Sequence, residues 1–202
     1  MQERIGVHGG TFNPIHNGHL HIQREFAKRL QLNQLIVMPT YEPPHKKQDC
    51  LASARDRLCM CRLAVAADPL LTVSDLEIQR GGKSYTLETL YTLKTLYPDS
   101  SLWLLMGEDM FVTLEKWRGA PEIFRTAEIC VAPRSVYGLP RLKHLADNYQ
   151  RTYQARIRIE QISFLDISST AIRNRICKGL PITGLVPKTV AEYIDQHKIY
   201  QT

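Results

Sequence analysis

Long apolar runs are absent from the sequence. None of its segments approaches the roughly 20 consecutive apolar residues that an α-helix needs to cross a bilayer. The opening residues MQERIGVHGG also lack the basic and long apolar regions of a signal peptide. We therefore expect a cytoplasmic protein that has no membrane partner.

Cysteine pairing is also poorly supported. The 202 residues include 5 cysteines, an odd number, and no two of them form a CxxC pair. This usage disfavours a disulfide framework and favours reduced, mostly buried thiols. The remaining composition, with 44% hydrophobic and 23% charged residues, is ordinary for a globular protein. Because neither a repeat nor a linker interrupts the chain, we expect one domain over residues 1–202.

The charge balance is positive, since 26 Lys and Arg stand against 20 Asp and Glu and give a net charge of +6. Such a balance favours anionic partners, which include small phosphates as well as nucleic acids. The sequence lacks the interleaved aromatic and basic residues of a single-strand-binding platform. We therefore expect no nucleic-acid partner.

Strand-like and helical segments alternate along the chain. Strands are expected at 4–8, 34–39, 72–78, 101–107, 127–133 and 156–164. Helices are expected at about 18–30, 53–67, 86–97, 108–117, 168–178 and 187–197. Repeated strand–helix–strand units predict an α/β fold with a doubly wound, mainly parallel sheet and C-terminal helices. Residues 135–154 are polar and mixed, and they follow no clear pattern.

Two common glycine-rich phosphate motifs, GxxxxGK[ST] and GxGxxG, are missing. The first strand instead leads into GGTFNPIHNGH at 9–19, at the sheet edge where parallel α/β proteins bind ligands. Gly9 and Gly10 are expected to form a turn whose N–H groups approach an anion, and Pro14 is expected to stiffen the loop. The following helix offers its N-terminus to negative charge. The segment therefore predicts a phosphate-binding loop.

His16 and His19 lie three residues apart and can direct two imidazoles toward one point. Phosphate binding is one interpretation, because imidazole N–H groups donate to phosphate oxygens. A hydrogen-bonded core histidine is a second, since His19 begins the apolar face of its helix. A metal site with His21 is a third, although His21 projects elsewhere and no Cys or Asp at ligand spacing completes the set. Spacing alone leaves all three interpretations open.

A second candidate anion site lies near the end of the chain, in ISSTAIR at 167–173. Ser168 is a natural N-cap for the helix that follows. The first turn would then present N–H groups, the hydroxyls of Ser169 and Thr170, and the guanidinium of Arg173. A well-capped helix with a solvated arginine is the alternative. Two such sites in one small α/β chain favour phosphate binding.

These segments resemble the signature of the HxGH nucleotidyltransferase superfamily, whose fold is Rossmann-like. Within it, the chain is most similar to the bacterial nicotinate-nucleotide adenylyltransferases. An ordered set of motifs carries the resemblance over nearly the whole length: GGTFNPIHNGHL at 9–20, PPHK at 43–46, RGGKSYTLETL at 80–90, LLMGEDMF at 104–111 with Trp117 after it, and ISSTAIR at 167–173. The resemblance implies joining of nicotinate mononucleotide and ATP to give deamido-NAD and pyrophosphate, a step of NAD biosynthesis.

The resemblance also implies roles for single residues. His16 and His19 would be catalytic, binding the ATP phosphates and stabilising the transition state. The rest of the ATP site would comprise Gly9, Gly10, Thr11, Phe12, Ser169, Thr170 and Arg173. The acceptor would meet Lys46 near its phosphate, Thr86 at the nicotinate carboxylate, Asp109 at a ribose and Trp117 at the pyridine ring. Without the resemblance, Trp117 is a core or anchoring residue and Asp109 belongs to an acidic pair at a helix start.

Mg²⁺ is the expected cofactor, held by ATP and water more than by protein, and no protein metal site is expected. Asn13 stands where Asp is frequent in the family, and the segment after Pro133, including Arg134, does not match the family pattern. Phosphopantetheine and nicotinamide mononucleotide are the alternative acceptors, but SYT at 84–86 and Trp117 favour nicotinate. A nucleotide sensor without turnover is an alternative from another class.

Overall fold

The computed structural model describes residues 2–43 and 50–201, apart from the side chain of Val136. The elements in chain order are β1 (Arg4–Gly10), α1 (Asn17–Leu30), β2 (Gln34–Pro39), α2 (Ala54–Val65), β3 (Leu71–Val73), α3 (Leu76–Arg80), α4 (Thr86–Leu96), β4 (Ser101–Gly107), α5 (Glu108–Phe111), α6 (Ala120–Thr126), β5 (Glu128–Ala132), α7 (Leu139–Tyr153), β6 (Ile157–Ile159), α8 (Ser169–Cys177) and α9 (Lys188–Gln196). Two short 3₁₀ turns lie at Leu114–Lys116 and Val136–Gly138.

The six strands form one sheet in the order β3-β2-β1-β4-β5-β6, and every neighbouring pair is parallel. From the central strand β1, the chain adds β2 and β3 on one side. It then returns to the centre and adds β4, β5 and β6 on the other side of β1. Val7 at the centre pairs with Ile36 of β2 and with Leu104 of β4. The predicted doubly wound parallel α/β fold is therefore confirmed.

Two apolar layers cover the two faces of the sheet. One layer is centred on Phe26 and Leu30 of α1, with Ile172 of α8 and Ile194 of α9. The other is centred on Leu90 of α4, Phe124 of α6 and Tyr149 of α7. Buried strands covered on both faces read as nearly continuous apolar runs, and QLIVMP and SLWLLMG have that character.

Some expected elements are shorter or different. The strand predicted at 72–78 ends at Val73, where the Ser74 amide makes the last bond to β2 by donating to the Val37 carbonyl. The Ser74 hydroxyl then accepts from the Leu76 amide, and α3 starts at Leu76. The strand predicted at 156–164 is confined to Ile157–Ile159 at the sheet edge. Edge strands are often short because only one neighbour pairs with them.

Two further helices, besides α3, were not predicted from the pattern. α6 lies in the connection before β5, and α7 occupies most of the segment 135–154. In α7, Leu142, Ala146 and Tyr149 are spaced four and three residues apart and are buried, so the helix has one narrow apolar face. Among the described residues, no helix is long and apolar enough to cross a membrane.

Candidate active site

The centre of the sheet, where the winding direction reverses, defines the ligand-binding edge of such a fold. β1 and β4 are neighbours there, and their shared register places Gly10 and Gly107 at the same carboxyl edge. Gly9 and Gly10 pair with Met38 and Pro39 of β2, so both belong to the strand. The expected turn at these two glycines was therefore wrong, although their position at the ligand-binding edge stands.

The chain turns at Phe12, whose φ of 47° is unusual for a residue with a side chain. A Cβ at Gly10 would lie 2.9 Å from the Phe12 ring, so glycine is needed there for close packing. A Cβ at Gly9 would meet nothing within 4 Å, so the backbone at Gly9 faces open space. Gly10 thus supports the loop, and Gly9 leaves room for a ligand.

His16 and His19 together start helix α1. His16 is the N-cap residue, and its Nδ1 accepts from the His19 amide at 3.3 Å. The His16 amide donates in return to Nδ1 of His19, also at 3.3 Å, which completes a capping box. Because both Nδ1 atoms accept hydrogen bonds, we assign the proton of each neutral ring to Nε2. Two Nε2–H donors are therefore left for a ligand.

The two imidazoles are held neutral by their surroundings. Burial lowers the pKa of His16 to about 4, with a smaller opposing effect of its own backbone hydrogen bond. Burial also lowers the pKa of His19 well below its usual value, and the nearby rings of His16 and His8 lower it further. A neutral pair avoids repulsion between two cations whose ring centroids are 3.6 Å apart.

Packing fixes the orientation of these rings. The rings of His16 and His19 are stacked at 23°, and the Phe12 ring meets His19 edge-on with 5.0 Å between centroids. A Cβ at Gly18 would lie 3.1 Å from the His16 ring, which explains the glycine between the histidines. His21 points away and its Nε2 lies 2.7 Å from the Ser163 carbonyl oxygen. It therefore does not join the other two histidines.

Helix α8 docks directly on the loop between β1 and α1. Ser168 caps α8 as predicted, because its hydroxyl accepts from the Ala171 amide at 3.2 Å. The Ser169 hydroxyl donates to the Pro14 carbonyl at 2.9 Å, and Arg173 donates to the Asn13 carbonyl at 2.9 Å. Two segments about 155 residues apart in sequence thus form one surface. The structure brings ISSTAIR and HNGH together, as two halves of one phosphate site require.

Asn13, which stands where Asp is frequent in the family, connects several segments of the chain. Its side-chain amide donates to the Cys50 carbonyl at 3.1 Å, and its Oδ1 accepts from the Ala52 amide at 3.0 Å. The Tyr200 hydroxyl also donates to Oδ1, at 2.6 Å. Asn13 is 2% exposed, so these bonds are shielded from water and hold the motif loop against α2 and the end of the chain.

Two of the predicted acceptor residues are Thr86, at the start of α4, and Trp117, directly after the 3₁₀ turn Leu114–Lys116. Thr86 is the first residue of α4, and in the described part of the chain its N-cap residue Tyr85 makes no side-chain capping bond. The first turn of α4 therefore keeps N–H donors for an anion. Trp117 is half-buried, packs against the apolar layer around α4 and donates from Nε1 to the Thr113 hydroxyl at 3.3 Å.

Asp109 lies in α5, directly after β4, and is exposed. Its carboxylate forms an ion pair with Arg134, while the Glu108 carboxylate accepts from the Arg134 amide at 2.9 Å. Arg134 also lines a cavity of about 270 Å³ beyond the carboxyl end of β5. Asp109 and Arg134 are thus coupled at the ligand-binding edge. Lys46, predicted near the acceptor phosphate, lies outside the described residues.

Comparison with known proteins matches residues 7–175 to the cytidylyltransferase-like family. A probable nicotinate-nucleotide adenylyltransferase of Dehalococcoides mccartyi is 37% identical over 198 residues, covering 98% of this chain and 97% of that protein. A protein of the same description from a Synechococcus species is 40% identical and covers 99% of this chain and 96% of its own length. The chain belongs to the nicotinate-nucleotide adenylyltransferases of the cytidylyltransferase-like family.

Solved structures agree with this membership at the level of the fold. A Plasmodium falciparum nicotinic acid mononucleotide adenylyltransferase complexed with NaAD superposes with a TM-score of 0.81, at 17% identity and with 98% of each chain covered. A putative nicotinate-nucleotide adenylyltransferase from Vibrio parahaemolyticus superposes with a TM-score of 0.71, at 19% identity, covering 99% of this chain and 96% of that one. The nicotinate-nucleotide adenylyltransferase fold therefore extends over the whole described chain.

Proposed function

We propose that this nucleotidyltransferase joins nicotinate mononucleotide to the adenylyl group of ATP, releasing pyrophosphate and forming deamido-NAD in NAD biosynthesis. The observation that carries the proposal is the docking of α8 on the HNGH loop through Ser169 and Arg173. This contact places two helix N-termini, a guanidinium and two neutral imidazoles at one edge of the sheet. A chain of polyphosphate length matches that arrangement better than a single phosphate does.

On the ATP side, the Nε2–H groups of His16 and His19 would donate to phosphate oxygens. Because the rings are already aligned by the capping box and by Phe12, little reorganisation is needed when charge develops in the transition state. Gly9, Gly10 and Thr11 would form the floor beside them. The first turn of α8, with Ser169, Thr170 and Arg173, would hold the far phosphates.

Ser169 has a competing partner, which refines its role. Its hydroxyl proton is already donated to the Pro14 carbonyl, so the hydroxyl has no second proton to donate to a phosphate oxygen. We assign Ser169 mainly to docking α8, with its backbone amide directed to phosphate. The guanidinium of Arg173 also has protein partners. One terminal nitrogen donates to the Asn13 carbonyl, and the other lies 3.4 Å from the Thr170 hydroxyl.

The reaction would be an in-line attack by the acceptor phosphate on the α-phosphorus of ATP. The nucleophile is an anion at neutral pH, so neither a general base nor a covalent intermediate is required. The chain would contribute positioning of two phosphates and neutralisation of charge. Neutral imidazoles suit this task, since they donate hydrogen bonds without acting as proton acceptors at Nε2.

Mg²⁺ would enter as part of the ATP complex. Within the described residues, no group of three His, Cys, Asp or Glu is arranged to hold a metal ion. The donors around His16 are imidazole N–H groups, hydroxyls and a guanidinium, which suit phosphate oxygens rather than a cation. Bound Mg²⁺ would supply charge neutralisation across the phosphate oxygens, with ATP and water as its ligands.

On the acceptor side, the first turn of α4 at Thr86 would receive the nicotinate carboxylate, and Trp117 would support the pyridine ring. Asp109 would meet a ribose hydroxyl, and Lys46 the acceptor phosphate. An amide in place of the carboxylate would bring no charge to the helix start, which lowers its attraction. This difference supports nicotinate mononucleotide over nicotinamide mononucleotide.

The test is a pyrophosphate-release assay with ATP and Mg²⁺ and three separate acceptors: nicotinate mononucleotide, nicotinamide mononucleotide and phosphopantetheine. We expect nicotinate mononucleotide to give the highest kcat/KM. A higher value for either other acceptor would reject the acceptor assignment but keep the enzyme class. No release with any acceptor, from a protein that binds ATP, would favour a nucleotide sensor.

A further inference from the structure

Arg57 of helix α2 is a fully buried arginine, with 0% of its surface exposed. Charged side chains are rarely buried unless their donors are satisfied, because removing them from water is costly. Across residues 2–43 and 50–201, Arg57 forms no salt bridge with a carboxylate. Its donors are instead directed to backbone carbonyl oxygens. A guanidinium used in this way fixes main-chain geometry.

Three chain segments meet at this guanidinium. One nitrogen donates to the Thr11 carbonyl at 2.8 Å and to the Thr40 carbonyl at 2.6 Å. The other terminal nitrogen donates to the Tyr41 carbonyl at 2.8 Å. Nε donates to the Ala52 carbonyl, at 3.1 Å. Arg57 therefore ties the loop after β1 to the chain after β2 and to the start of α2.

The chain after β2 continues this connection toward the predicted acceptor site. The Tyr41 amide donates to the Ser84 hydroxyl at 2.9 Å, and the Ser84 amide donates to the Glu42 carbonyl at 3.0 Å. Ser84 lies two residues before Thr86, the first residue of α4. Residues 40–42 thus bridge the ATP loop at Thr11 and the acceptor-side helix α4.

We propose that Arg57 is a positioning residue for adenylyl transfer: its guanidinium sets the spacing between the ATP loop at Thr11 and the acceptor-side segment at Thr40–Tyr41. This inference rests on the proposed function, because spacing matters only when two substrates react. Transfer between two bound phosphates requires the attacking oxygen to approach in line with the leaving group. A displacement of about 1 Å between the two sites can reduce the rate about 100-fold.

Lysine cannot replace arginine in this role. A guanidinium is planar and presents five N–H donors in a rigid fork, whereas an ammonium presents three donors from one atom on a flexible stem. An Arg57→Lys side chain would keep the positive charge and reach fewer of the four carbonyls. The substitution therefore separates the bridging geometry from the charge.

The experiment compares wild type with Arg57→Lys. We measure kcat with both substrates saturating, the Kd of ATP without acceptor by calorimetry, and the folded fraction by circular dichroism. We expect kcat to fall about 100-fold. The ATP Kd should change less than about 3-fold, because most of the proposed triphosphate contacts come from the starts of α1 and α8, and Arg57 meets the ATP loop at one carbonyl, that of Thr11. Arg62→Lys on the same helix is the matched control, since Arg62 is exposed and pairs with Asp75 at the surface.

A folded Arg57→Lys protein with kcat near wild type would overturn the inference. So would a fall in kcat that only follows the folded fraction, because that result would assign Arg57 a purely structural role. Absence of transfer by wild type itself would reject the proposed function, and the inference would fall with it. The wild-type assay therefore tests the proposed function, and the comparison of wild type with Arg57→Lys tests the role of Arg57.

Ser84→Ala is the second variant and decides the question if Arg57→Lys folds poorly. It removes the hydroxyl that accepts from the Tyr41 amide and also bonds the buried Glu77 carboxyl, and it leaves Arg57 untouched, so its folded fraction is measured as well. We expect a fall in kcat of about 10-fold with an ATP Kd close to wild type, the same split as for Arg57→Lys. An unchanged kcat in Ser84→Ala would contradict a spacing role for this bridge.

Discussion

His16 combines two functions in one side chain. Ser, Thr, Asp and Asn are the usual N-cap residues, because a short oxygen acceptor reaches the first free amides of a helix. In α1 the acceptor is Nδ1 of an imidazole, and the same ring keeps an Nε2–H donor on its other side. Capping through Nδ1 therefore fixes the His16 tautomer that carries its proton on Nε2, and this Nε2–H is the donor available to a ligand. The local fold and the proposed chemistry depend on the same proton position.

The neutral state of His16 predicts a loss of stability in acid. Burial lowers its pKa to about 4, against about 6.5 in the unfolded chain, so the unfolded state binds more protons between these values. The contribution of His16 is complete above pH 6.5 and is lost as the pH falls toward 4. We expect this single group to lower the free energy of unfolding by about 2 kcal/mol between pH 8 and pH 5, measured by urea unfolding.

His16→Asn is the variant that isolates this effect. Asparagine is a favoured N-cap, so the helix start is retained while the titrating ring is removed. The variant should lose about 2 kcal/mol less than wild type over the same pH range. An identical loss in both proteins would show that His16 does not titrate as proposed.

Single residues show clearly what could be predicted from sequence. The types and spacing of His16, His19 and Arg173 made them candidates for phosphate binding, and the resemblance to the family then implied their roles. Arg57 and Asn13 were not identified as connecting residues, because their partners are backbone groups that come together only in the fold. The lowered pKa values also follow from burial, which short-range spacing does not report.

At the scale of elements, α8 is held against the loop before α1 by polar contacts and by its apolar face. Its start is joined to the loop before α1 by the Ser169 and Arg173 bonds, and its apolar face is held by buried Ile172. Because Arg173 lies one turn inside α8, its guanidinium reaches back over the helix start. The proposed polyphosphate site therefore depends on α8 docking as much as on α8 itself.

Arg173→Ala tests this dependence. Loss of a charged donor at the site should raise the KM for ATP about 10- to 100-fold, which is the range expected for hydrogen bonds to a charged group. The KM for the acceptor should change much less, since its predicted contacts lie on α4. Steady-state kinetics with each substrate varied in turn measures both constants.

Arg175→Ala is the control from the same helix. Replacing Arg175 with alanine removes the same charge as replacing Arg173. The Nε of Arg175, however, donates to the Pro181 carbonyl beyond the C-terminal end of α8. Its KM for ATP should stay within about 3-fold of wild type, since the bonded end of this side chain is directed away from the docking contact with the HNGH loop. Equal effects of the two substitutions would show that net charge, rather than docking geometry, controls ATP binding.

Elements with strong apolar periodicity or a clear cap were predicted well. β1, β2, β4 and α8 lie within a few residues of their expected bounds. The segment 72–78 was wrongly predicted as one strand, because the bond from the Leu76 amide to the Ser74 hydroxyl, which helps divide it into β3 and α3, is not visible in the sequence pattern. α7 was missed because only a narrow face of it is apolar and charged residues fill the rest.

At the scale of the whole molecule, the sheet order explains how distant motifs form one site. Winding outward from β1 and returning through β4 leaves their carboxyl ends side by side, with the HNGH loop and Asp109 on the same edge. The ordered motifs of the sequence therefore map to one edge of one sheet. The sequence could predict that edge from the strand pattern, but not the docking of α8 about 155 residues from Pro14.

We propose that the folded chain uses its two neutral imidazoles for adenylyl transfer. The most direct measurement is kcat for pyrophosphate release by His19→Ala, alongside the folded fraction. His197→Ala is the control, because His197 also stacks on an aromatic ring, that of Tyr193, at 4.0 Å, but lies at the end of α9.

We predict that His19→Ala stays folded and loses kcat about 100- to 1000-fold, the cost of removing one donor aimed at transition-state charge. His197→Ala should keep a kcat close to wild type. A folded His19→Ala protein that turns over ATP and nicotinate mononucleotide at the wild-type rate would contradict the account.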